Sequence, residues 1–246
     1  MISTEFVLTA GSVSSVLGLG FFLGLKHATE ADHLAAVATV VAEKKDALTS
    51  TLVGGVWGAG HTISLFVAGL IVLLLKFQIS ERLEAGLEFC VGIMLAILGL
   101  NVFRKLYSGG HLHLHEHKHG ETVHIHPHIH VPAETDDPHT HHGLSFSPRS
   151  LIVGMIHGLA GSAALMLLII PTIDSTALGL VYIAVFGAGS IGGMMLMSFL
   201  VSLPFMLTSN RFDMVNRLLQ VGAGSFSVVL GFWIIYEKGV AEGLLF

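Results

Sequence analysis

The seven residues His27-Ala-Thr-Glu-Ala-Asp-His33 carry two imidazoles and two carboxylates inside an otherwise apolar run. Imidazole and carboxylate together suit divalent first-row metals, and the lack of thiolates argues against a soft-metal or structural zinc site. Cys90, the single cysteine, lies in another apolar run and leaves no intrachain disulfide. His61 and His157 stand in further apolar stretches, so the candidate metal ligands are His27, Asp32, His33, His61, His157 and Glu30. A lone His157 would pass as a core histidine; the cluster as a whole would not. On an unbroken helix turning about 100° per residue, Glu30 and His33 fall on one side of His27 and Asp32 on the other. One ion then reaches both His27 and Asp32 only if the helix unwinds; otherwise Asp32 orients a histidine ring as its acceptor.

Other chemistries are poorly served. The His-Glu-x-x-His string that a zinc protease places on a helix occurs here as His115-Glu-His-Lys-His119, inside the polar histidine-rich segment and away from the apolar spans. His139-Thr-His-His142 is one residue short of the His-x2–3-His-His box of a membrane di-iron oxygenase and lies in the histidine-rich segment. A bis-histidine haem carrier would need paired histidines on facing helices, and few are supplied. The chain is therefore read as no enzyme, with no resident cofactor, and the metal as cargo.

The elements that must position these groups lie in lipid. Of 246 residues, 52% are hydrophobic and 12% charged, and the mean hydropathy is +0.76. A soluble domain carries about a quarter charged residues. No charged side chain occurs from Phe6 to Leu25, and ionisable groups at membrane depth are costly and usually functional. The N-terminal apolar segment lacks a positively charged flank, so it is read as a retained span rather than a signal peptide. Nothing is basic enough to bind nucleic acid; the expected partners are a divalent transition-metal ion and the bilayer. The oligomeric state is not legible.

Apolar windows of roughly 20 residues predict spans at 11–42, 51–76, 86–107, 149–171, 177–206 and 214–237. The first and fifth are too long for a perpendicular crossing, which predicts tilt, overhang or a break. Between Ser108 and Ser147 lie twelve of the sixteen histidines, largely alternating, with prolines, glycines and acids. That segment, 108–148, reads as a disordered loop with a metal-buffering role, dividing a first three-span unit (1–107) from a second (149–246).

The two units echo each other. Val56-Trp-Gly-Ala-Gly-His61 recurs as Val185-Phe-Gly-Ala-Gly-Ser190, and Gly24-Leu-Lys-His27 as Gly154-Met-Ile-His157. Gly92 and Gly99 match Gly224 and Gly231, and the offsets of 129, 130 and 132 residues keep order and near register. An odd number of spans per unit inverts the second relative to the first. The expected fold class is thus an all-α polytopic membrane protein, six transmembrane helices as two inverted three-helix repeats. Lys44, Lys45, Arg104, Lys105, Lys118, Arg149, Arg211 and Arg217 fall on one side, against Lys76, Arg82 and Lys238 on the other. This bias predicts both termini outside and the histidine loop in the cytoplasm.

His27-x4-Asp32-His33, followed by Leu-Ala-Ala-Val, resembles the His-x4-Asp-His signature of the nickel/cobalt transporter superfamily. Trp57-Gly-Ala-Gly-His61-Thr and His157-Gly-Leu-Ala-Gly-Ser-Ala-Ala164 are most similar to its urease-associated nickel permease branch, which also carries a His-rich loop between two three-span halves. The resemblance implies that His27, Asp32 and His33 recognise the metal, with His61 and His157 as additions by position. It implies a secondary transporter for Ni2+, with Co2+ as second candidate, in a cytoplasmic or inner membrane. Uptake is the favoured direction. The alternatives are a Ni2+/Co2+ efflux protein and a non-transporting membrane metal-binding or sensor protein in which the loop is the active part.

Overall fold

The computed structural model describes residues 4–42, 44, 46–75, 80–108, 112–119, 122–129, 148–160, 175–209 and 212–245. Among them are seven α-helices: α1 (Thr4–His27), α2 (Ala31–Val41), α3 (Ala47–Leu75), α4 (Glu81–Tyr107), α5 (Pro148–Ala160), α6 (Thr176–Ser209) and α7 (Asp213–Tyr236). A π-helical turn, Glu237–Ala241, extends α7. By length and composition α3, α4, α6 and the extended α7 could each cross a membrane, while 13–27, α2 and 150–160 are shorter apolar helices. These four correspond to the predicted second, third, fifth and sixth spans. The fourth is met by α5 over its first half, and 161–171 lies outside the described residues.

Helix ends follow local chemistry. The Ser80 hydroxyl accepts from the Leu83 amide, Glu81 and Glu84 sit in the first turn of α4, and Arg104 and Lys105 in its last. Acids at the positive end and bases at the negative end complement the helix dipole. Before α3, the Asp46 carboxylate accepts from the Thr49 amide (2.7 Å) and hydroxyl (2.9 Å). These bonds hold its carboxyl below the usual aspartate range. At 34 residues α6 runs about 50 Å at 1.5 Å per residue, well beyond a hydrocarbon core of about 30 Å. It is a single long helix rather than a broken one, with Pro204 inside it near the C-terminal end.

The predicted first span is broken. α1 stops at His27, residues 28–30 turn, and α2 starts at Ala31. The Thr29 amide and hydroxyl both donate to the Lys26 carbonyl, and the Glu30 amide donates to that of His27. These tighter bonds compete with the α-helical pattern. Glu30 then takes extended dihedrals (φ −66°, ψ 152°) and starts α2.

Burial is reversed relative to a water-soluble protein. Phe22, Leu75, Leu218 and Val229 are 68, 72, 69 and 68% exposed, whereas His27, His33, His61 and His157 are at most 1% exposed. Helix association without a hydrophobic drive depends on close approach at small residues, and glycines supply it in pairs. A Cβ on Gly24 of α1 would fall on the Phe186 carbonyl of α6, and one on Gly154 of α5 on the Trp57 carbonyl of α3. Gly60 of α3 lies against the Leu151 carbonyl of α5, as Gly189 of α6 lies against the Phe21 carbonyl of α1. α4 and α7 meet at Gly99 against Gly224 and Gly92 against Gly231. α3 packs along α6, and the Thr62 hydroxyl donates to the Gly187 carbonyl across that contact (3.2 Å).

Within the segment expected to lack order, β1 (Leu112–His119) and β2 (Thr122–Ile129) pair as an antiparallel hairpin. His113 stands opposite His128, His115 opposite His126, and His117 opposite His124. Alternation of histidine with Leu, Val and Ile is a period-two strand pattern. The remaining loop histidines after Ile129 lie outside the described residues.

Candidate metal centre

The break between α1 and α2 brings together groups that a straight helix would hold apart. The His27 and His33 rings come to 4.5 Å between centroids. From α3, His61 enters with its Nε2 at 3.2 Å from His27 Nε2. From α5, His157 enters with its Nε2 at 2.8 Å from Asp32 Oδ2. Asp32 Oδ1 accepts from the His33 amide (2.9 Å) and stands 3.1 Å from His33 Nδ1. The helix is interrupted at 28–30, yet Asp32 does not come to His27; its carboxylate meets His33 and His157 instead.

The candidate ligand atoms form two overlapping groups, His27, His33 and His61 in one and Asp32, His33 and His157 in the other. Within each, the atoms lie within 4.8 Å of one another. Glu30 belongs to neither; its half-exposed carboxylate stands 3.0 Å from His27 Nδ1, on the outer side of that ring. Asp32 thus backs two of the four imidazoles, the arrangement that fixes ring orientation and raises ligand basicity around a metal, while Glu30 stands beside a third without a hydrogen bond to it. Buried His33 Nε2, His61 Nδ1 and His157 Nδ1 have no hydrogen-bond partner among the described residues. Unpaired buried polar atoms are destabilising unless something satisfies them, and a bound cation would satisfy lone pairs of this kind.

Aromatic rings wall the cluster. Trp57 stacks on His33 at 5.7 Å and 25° and meets His157 edge-on at 5.6 Å, while Phe186 lies 5.7 Å from His27. The sequence reading passed over both as ligand-site residues. Their signal was present: they occupy the same position in the two Gly-Ala-Gly strings. Ser190, which stands where the first string has His61, is fully buried with its hydroxyl unpartnered among the described residues.

Long apolar helices around a buried histidine and aspartate cluster define a helical membrane protein with a polar interior. Over 234 residues, 94% of both chains, the protein is 40% identical to urease accessory protein UreH of Bacillus sp. (strain TB-90). A shorter stretch of 86 residues, 35% of this chain and 24% of the other, is 31% identical to a high-affinity nickel transport protein of Cupriavidus necator. No protein-family model matches, and neither does a solved structure. The chain belongs to the family of the urease accessory protein UreH, the branch that its motifs resemble.

Proposed function

We propose that this protein is a secondary transporter that carries Ni2+ into the cell, with Co2+ as a second cargo. The observation that carries the reading is the convergence of His27, Asp32, His33, His61 and His157, drawn from three separate parts of the chain, at a helix break inside an apolar bundle. Broken helices in the interior of a membrane bundle are where transporters place ion sites, because the freed backbone and side chains line a cavity there. The names of the two relatives, one a urease accessory protein and one a nickel transport protein, support nickel as the cargo. Neither is the name of an enzyme.

The architecture we infer is six spans in two inverted three-helix repeats, with both termini outside and the histidine segment cytoplasmic. The paired glycine contacts support it. Gly24 against Phe186 and Gly154 against Trp57 are the same contact with the units exchanged, as are Gly60 against Leu151 and Gly189 against Phe21. Exchange of equivalent contacts is what a two-fold axis between the units produces, and rocking of one unit against the other would open the cluster to each side in turn. Accumulation of radiolabelled nickel in cells expressing the intact chain tests the reading. Uptake predicts more cellular nickel than in the empty-vector control. Less nickel, with added nickel resistance, would make it an exporter, and no difference would leave a binding or sensor protein.

A further inference from the structure

We propose that the cluster is two metal positions sharing His33, occupied in turn by one passing ion. The proposal rests on the transport reading above. The first position is bounded by His27, His33 and His61, the second by Asp32, His33 and His157. A metal–nitrogen distance of about 2.1 Å keeps two ligand atoms on one ion within about 4.2 Å of each other. Atoms within 4.8 Å reach that limit by small ring rotations in either group taken alone. The groups do not merge: the five residues do not form one set of ligand atoms all within 4.8 Å of one another, and His33 belongs to both sets.

His33 is the hinge of the arrangement. Its Nδ1 faces Asp32 and its buried Nε2 has no hydrogen-bond partner among the described residues, so its two nitrogens are differently engaged. A neutral imidazole has one lone pair and one N–H, so the ring ligates at one nitrogen at a time. While Nε2 holds an ion in the first position, Nδ1–H donates to Asp32. Holding an ion in the second position through Nδ1 requires the ring proton to sit on Nε2 instead. The ring stays neutral: Nδ1–H yields its proton to water admitted as the cluster opens, and water returns one proton to the vacated Nε2. Two ions at once would need a deprotonated imidazolate between two buried dications, which like-charge repulsion opposes. The matched histidines of the two units, His27 and His157, fall in different positions, one for each.

The donor sets assign different tasks. Three imidazoles suit nickel over manganese, magnesium or calcium, so the first position discriminates; a carboxylate admits harder ions but neutralises part of the charge at the second.

Titration of the purified full-length chain with Ni2+ alone, with X-ray absorption to count imidazole ligands and Ni2+ flux in proteoliposomes, tests the proposal. His157→Gln should keep a three-imidazole nickel site within tenfold of the wild-type affinity, yet lose flux at least tenfold. His61→Gln should still bind Ni2+, with fewer imidazoles, 10- to 100-fold weaker and with less preference over Mn2+. His33→Gln should lose binding beyond 100-fold. His61→Asn and His157→Asn provide the same comparison where a Gln variant is not monodisperse. Equal loss of binding in the His61 and His157 variants, or wild-type flux in the His157 variant, would overturn the two positions in favour of one. Failure of the wild-type chain to bind Ni2+ would instead overturn the transport reading itself.

Discussion

The Nε2 atoms of His27 and His61 face each other across 3.2 Å between α1 and α3, two buried nitrogens on helices that share no local sequence. Either ring donates to the other, or both turn lone pairs to one cation. Replacing His27 or His61 by Ala removes one donor from that pair. Each change should lower Ni2+ affinity at least tenfold, since losing even a group that only orients a ligand typically costs about 10- to 100-fold. Isothermal titration on detergent-purified variants measures it, and unchanged affinity in both would remove this pair from the binding site.

Asp32 touches two histidines from different helices, His33 at 3.1 Å and His157 at 2.8 Å. Asp32→Asn keeps the shape but loses the negative charge and half of the acceptor capacity. Ni2+ transport should fall at least tenfold, while protein level and elution volume stay those of the wild type. Near-normal transport by Asp32→Asn would mean that the carboxylate neither binds nor positions.

The paired glycines predict a paired phenotype. Gly24→Ala and Gly154→Ala each drive a methyl into a neighbouring carbonyl, of Phe186 and Trp57 respectively. Overpacking of this kind costs about 1–3 kcal/mol. Both should lower the thermal midpoint in detergent by a similar amount. Gly18→Ala and Gly222→Ala, whose new methyls would meet nothing within 4 Å, should not. A drop in one of the matched pair alone would count against the exchange of contacts between the units.

Orientation is testable with single cysteines on a Cys90→Ser background. Positions in 43–48 and 108–147 should react only with reagent admitted to the cytoplasm, and positions in 78–84 and 172–175 only with reagent outside. External labelling of the histidine segment in intact cells would reverse the topology.

Deleting 111–142 addresses the histidine segment. If its imidazoles capture ions leaving the site, accumulation at scarce nickel should fall severalfold and recover at abundant nickel. The deficit should also shrink near pH 5.5, where most free imidazoles, with pKa about 6.5, are protonated and cannot ligate. An undiminished deficit at pH 5.5 would assign the segment a role other than chelation.

Much of this protein is written in the sequence alone. Apolar length marked where the helices run, because lipid leaves a backbone little alternative to satisfying its own hydrogen bonds. The types His27, Asp32, His33, His61 and His157 marked them as candidate metal ligands, because ionisable side chains inside such runs are rarely tolerated without use. Repetition of Gly24 as Gly154 and of Trp57 as Phe186 hinted at two equivalent units. Only the tertiary structure decided how the ligands group. Periodicity assigns each side chain an angle about its own axis, and on a straight helix that angle sets Asp32 away from His27. The turn at 28–30, where the Thr29 amide and hydroxyl bond back to Lys26, brings His33 to His27 and leaves Asp32 to His33 and His157, local choices that a hydropathy pattern does not record. Which histidine meets which partner then depends on α3 and α5 arriving from residues 34 and 125 positions away, His61 onto His27 and His157 onto Asp32. Those meetings are fixed by where glycines let the backbones touch, a property of helix pairs that neither helix carries by itself.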